Sequence, residues 1–138
     1  MLQRKQSIWL LLAAVAAFLT MNFSFFSGNQ LVNGQSTFQD VTARSNTFLL
    51  ILTVATGLLS LISIFLYKNR KLQLRLTLVA VLVAIIDIVL FFLEAKKFTE
   101  GRYTITCVLA FIIPVLLLLS ARGIYKDEKL IRNINRLR

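Results

Sequence analysis

Histidine is absent from this 138-residue sequence, cysteine and proline occur once each, and acidic residues number six against sixteen lysines and arginines. Without histidine, the commonest metal ligand and the usual general base are both missing. The single cysteine, Cys107, has no partner for an internal disulfide and no histidine to activate it as a nucleophile. No glycine-rich phosphate loop and no paired carboxylates set to share one pocket are present. These absences argue against an enzyme, and no cofactor or metal is implied.

Charged residues make up only 16% of the chain and hydrophobic residues 57%, with a mean hydropathy of +0.75. That balance lies outside the range of an ordinary soluble domain and points to a membrane. The formal charge of +10 falls mainly at the ends of apolar runs, where it is explained by topology and contact with an anionic inner leaflet rather than by nucleic acid.

Four apolar segments, Ser7 to Phe26, Thr47 to Tyr67, Leu76 to Leu93 and Tyr103 to Ala121, are each long enough to cross a hydrocarbon core of about 30 Å. Backbone groups in lipid must bond within their own segment, so the fold class expected is all-α, a four-helix membrane bundle forming one domain over residues 1–138. The first run exceeds the length of a secretory h-region and ends in no small-x-small cleavage site, so it reads as a retained helix. Residues 28–46, polar and rich in Gly, Asn and Ser, read as an outer loop of uncertain order. With the N-terminus inside, twelve basic residues fall on the inner side, and four (Arg44, Lys96, Lys97 and Arg102) fall outside. This asymmetry puts both termini in the cytoplasm.

Membrane helices associate through small residues and polar contacts. Small residues at helical spacing mark one face of each segment. They are Ala13, Ala16, Ala17 and Thr20 in the first and Thr53, Thr56, Gly57, Ser60 and Ser63 in the second. Thr77, Ala80 and Ala84 lead to Asp87 and then Glu94 in the third, and Cys107, Ala110, Pro114 and Ala121 mark the fourth. Asp87 lies about 16 Å from Leu76 along the third helix, near mid-membrane. Pro114 has no N–H and frees the carbonyl of Ala110. Asp87 is therefore expected to donate, as a neutral acid, to that carbonyl and to accept from Thr53 or Thr56. An intramembrane acid also raises a proton or cation relay, with Glu94 two turns outward near Lys97.

Two basic stretches face the inner side. Lys68, Arg70, Lys71 and Arg75 follow the second segment as an anchor or docking site for an anionic partner. In the tail, residues 122–138, Ile124, Leu130, Ile131, Ile134 and Leu137 recur at helical spacing, while Lys126, Lys129, Arg132, Arg136 and Arg138 take other faces. That pattern predicts a short amphipathic cytoplasmic helix, contacting lipid or another protein.

The stretches MLQRKQSIWLLLAA, IFLYKNRKLQLRL and ARGIYKDEKLIRNINRLR resemble an uncharacterised family of small four-helix inner-membrane proteins of the Bacteroidota. The resemblance implies fold and compartment without an activity. The reading that follows is an accessory or scaffolding subunit of a larger membrane assembly, with a homo-oligomer compatible with it. The competing reading is a small proton- or cation-coupled transporter or channel using Asp87.

Overall fold

A computed structural model describes residues 2–136, with side chains from Lys5 to Ile134. Leu137, Arg138 and the side chains of Arg4 and Arg136 lie outside the described set. The elements run α1 (Leu2–Leu19), β1 (Phe26–Val32), β2 (Gln35–Val41), α2 (Thr47–Phe65), α3 (Arg70–Ala95), β3 (Glu100–Tyr103) and α4 (Cys107–Arg136). Each helix packs against its neighbours in chain order, and α4 closes the ring against α1. Four helices joined in this way make an up-down-up-down bundle.

The spans Thr47–Lys68, Arg70–Ala95 and Cys107–Ile134 are each long and apolar enough to cross a membrane, and Lys5–Leu19 is a shorter apolar helix. The polarity of the bundle suits that setting. The small-residue faces are buried: Ala13, Ala17, Thr53, Ser60 and Ser63 are fully enclosed, whereas Leu82, Phe48 and Ile51 point outward and are exposed. An arrangement with small polar groups inside and large apolar groups outside favours close helix approach over water-driven burial.

The expected all-helical fold is corrected by a three-stranded antiparallel sheet of order β2-β1-β3; its end of the bundle is termed the outer end and the opposite one the inner end, as labels only. Residues 28–46, read as a loop of uncertain order, mostly form an ordered hairpin. Asn33 and Gly34 join its strands with φ of 54° and 80°, the paired positive values that a two-residue type I′ turn requires. The third connection supplies β3, whose Glu100–Tyr103 pairs with Phe26–Asn29 of β1. Gly28 and Gly101 lie opposite one another, and a Cβ on Gly101 would come within 2.5 Å of the Phe26 ring. Strand and ring therefore approach through the space the glycine leaves.

Helix boundaries also move. The first helix ends at Leu19 rather than Phe26, its last turn closed by Thr20 Oγ1 donating to the Ala17 carbonyl at 2.7 Å. Phe25 N–H then donates to the Val41 carbonyl, so Phe26 is a strand residue. The third helix starts at Arg70, not Leu76, after a 3-10 turn at Leu66–Lys68. Arg70, Lys71 and Arg75 are thus helical rather than part of a loop. The separate tail helix is replaced by a continuous 30-residue α4 through Arg136. No glycine or proline stop interrupts it after Ala121 except Gly123, which a helix tolerates.

The core divides by depth. Leu10, Ala13, Ala80, Ala84, Ile113 and Leu117 pack together in one cluster. Phe25, Phe26, Val41, Leu49, Phe91 and Ala110 form a second. In this second cluster Phe25 stacks on Phe91 at 4.8 Å and meets Tyr103 edge-on at 5.9 Å, tying the sheet to α3.

Candidate functional site

The third helix is buried along a stripe that runs through Gln73, Thr77, Ala80, Ala84, Asp87 and Phe91. This spacing of three and four carries Asp87 inward. Across from it Thr53 of α2 donates from Oγ1 to Asp87 Oδ2 at 2.9 Å. Asp87 Oδ1 is buried without a partner. The expected bond to Ala110 is therefore not made. Ala110 packs in the outer cluster with Phe91, one turn beyond Asp87, so the carbonyl freed by Pro114 is not in reach.

Thr56 is likewise not a partner of Asp87, because its hydroxyl donates back to the Leu52 carbonyl at 2.9 Å. Ser60, Ser63 and Thr77 do the same toward Thr56, Leu59 and Gln73 at 2.7 to 2.8 Å. These hydroxyl donors are used within their own helices, a local satisfaction that lets polar residues pack in an apolar bundle. The stripe thus packs α2 against its neighbours more than it presents donors to a passing solute.

At the outer end Glu94 is the hub of a small network. Lys97 Nζ lies 2.8 Å from Oε1, and Asn46 Nδ2 donates to the same oxygen. Asn46 also caps α2, its Oδ1 accepting from Phe48 N–H at 3.0 Å. The bond joins the start of α2 to the end of α3. Glu94 is thus engaged at the bundle's rim, two turns from Asp87, and the two acids share no intermediate polar partner among the described bonds.

The inner end holds a constellation that sequence reasoning did not assemble. Gln6 Nε2 donates to Asp127 Oδ2 at 2.6 Å, and Arg70 Nη1 stands 3.4 Å from the same oxygen. Ser120 Oγ donates to the Gln6 backbone carbonyl at 3.4 Å. Gln6, Gln73, Ser120 and Asp127 are all buried, so α1, α3 and α4 are locked at one level. A signal for this was present. Ala110, Ile113, Leu117, Ala121 and Ile124 are buried at helical spacing, and the next position on that face is Asp127.

The basic residues scatter around this level. Lys68 sits in the 3-10 turn, Lys71 is exposed, and Arg70 is the one drawn to Asp127. Lys126, Lys129 and Arg132 are exposed on α4, and Arg136 closes that helix. Among the described residues no group of three or more His, Cys, Asp or Glu side chains could hold a metal ion. No curated protein and no solved structure matches this chain. The model of one family, the domain of unknown function DUF4293, matches residues 2–137, and the chain belongs to that family.

Proposed function

We propose that this protein is a four-span subunit of the bacterial cytoplasmic membrane, with both termini in the cytoplasm, acting as an accessory or scaffolding component of a larger membrane assembly. The observation that carries this reading is the inner end of α4. Among the described residues, Asp127 is the last of that helix bonded to another element, and the helix continues for a further nine residues to Arg136. On that extension Leu130, Ile131 and Ile134 are exposed beside Lys129 and Arg132. A helix end with exposed apolar and basic side chains on separate faces is suited to gripping a groove on another protein. The positive-inside distribution supports the orientation, and the 18 residues of α1, about 27 Å by helical rise, support a fourth crossing.

The test is purification of the tagged, full-length protein from its native membrane in mild detergent, with mass spectrometry of what stays bound. One stoichiometric partner that is lost when residues 128–138 are deleted is the expected result. A homo-oligomer with no partner would overturn the accessory role. The unpartnered Oδ1 of Asp87 favours a second reading, a proton- or cation-coupled carrier. Under it Asp87→Asn abolishes transport in reconstituted vesicles without loss of assembly, whereas under the accessory reading the variant keeps its partner and its function.

A further inference from the structure

Between α1 and α4, at the inner end of the bundle, runs a groove of about 240 Å³. Trp9, Leu119 and Leu130 form its apolar walls, and Gly123 forms its floor. Gly123 lets α4 close on α1 there: a Cβ would meet Gln6 Cγ at 2.8 Å. Lys5 and Lys126 stand on opposite walls, one from each helix. The lysines lie toward one end of the groove, with Leu130 one turn of α4 beyond Lys126. On α1, Lys5 lies one turn from Trp9 toward the chain terminus, and on α4, Lys126 lies about two turns from Leu119 in the same sense, since the helices are antiparallel. The acid that also borders the groove, Asp127, is answered from elsewhere, by the Gln6 amide and by Arg70 of α3.

We infer that this groove is a binding site for one anionic phospholipid, an acyl chain lying against Trp9 and Leu119 and the headgroup phosphate between Lys5 and Lys126. The inference rests on the reading of the chain as a membrane protein. Its basis is the match between a groove walled by Trp9, Leu119 and Leu130, with Lys5 and Lys126 at its borders, and a molecule that is apolar along its length and anionic at its end. Basic pockets between membrane helices select such headgroups from a zwitterionic bilayer. The groove lies beside the Gln6–Asp127 contact, so an occupied site also braces α1 against α4.

Trp9 is the only tryptophan in the chain, which makes the site directly readable. The full-length protein is reconstituted into phosphatidylcholine vesicles, and Trp9 fluorescence is titrated with brominated phosphatidylglycerol or brominated phosphatidylcholine at equal mole fraction. The expected result is preferential quenching by phosphatidylglycerol, with a relative binding constant raised about fivefold for each lysine. The double variant Lys5→Gln/Lys126→Gln brings that constant close to one. Lys129→Gln/Arg132→Gln, which removes the same charge from the exposed part of α4, leaves it unchanged. Equal quenching by the two lipids in the unaltered protein overturns the site, and so does a control pair that lowers the preference as much as the groove pair. Quenching by neither lipid overturns the site and the membrane reading together.

Discussion

Asp87 illustrates how a single side chain can be read correctly for its face and incompletely for its partners. Its helical spacing from Thr77, Ala80 and Ala84 turns it inward, where Thr53 holds Oδ2 at 2.9 Å and Oδ1 has no donor. Thr53→Val removes the one bond from α2, and the thermal midpoint of the detergent-solubilised protein should fall by the equivalent of about 1–2 kcal/mol. Asp87→Asn keeps an oxygen for Thr53 and places an amide where a buried oxygen lacked a partner, so its midpoint should match or exceed that of the unaltered protein. A fall as large as that for Thr53→Val would show that the open oxygen is satisfied in the folded protein. Gly101 is more exacting. Its Cβ would sit 2.5 Å from Phe26, so Gly101→Ala must displace the ring or β3, and rapid proteolysis between Ala95 and Cys107 is the readout.

The hairpin and the long fourth helix are where local sequence and observed element part company or agree for identifiable reasons. Asn33 and Gly34 carry the strongest short-range hairpin signal, a two-residue turn with both φ values positive. The flanking residues are polar and poor in β-branched side chains, and that composition masked it. Replacing Asn33 and Gly34 together by alanine costs about 1 kcal/mol or more per strained position. Amide exchange over residues 26–41 should then quicken while the helices stay protected. For α4, a pattern that looked like the start of a tail helix is the continuation of one face of the bundle. Amide protection should accordingly remain high through Ile124 and Asp127 and drop beyond Leu130, where side chains are exposed. A break in protection near Arg122 would restore the two-helix description.

For the assembly of the bundle, the informative contrast is between the three polar levels. Asn46 and Glu94 close the outer end, Thr53 and Asp87 join the middle, and Gln6, Asp127 and Arg70 lock the inner end. The inner level joins residues 121 positions apart, so its loss should loosen the closure of the ring. Gln6→Ala leaves the Asp127 carboxylate one donor short, at a cost of about 1–3 kcal/mol in resistance to detergent denaturation. The orientation has its own test. In a Cys107→Ser background, Ser36→Cys should react with an impermeant maleimide in intact cells, and Lys129→Cys should react only after the membrane is opened.

Composition and periodicity alone were enough for a four-helix bundle with helices apolar enough to cross a membrane, the buried face of each helix and the inward turn of Asp87, because these depend on local spacing and on the apolar length of each segment. The Asn33–Gly34 pair was a hairpin signal that went unread, because the polar residues flanking it show no strand alternation. The pairing of β3 with β1, the choice of Thr53 over the Ala110 carbonyl, and the meeting of Gln6, Arg70 and Asp127 were not legible. Each depends on the relative height and rotation of segments distant in the chain. Those are set by packing between helices, and no periodicity within one helix encodes them.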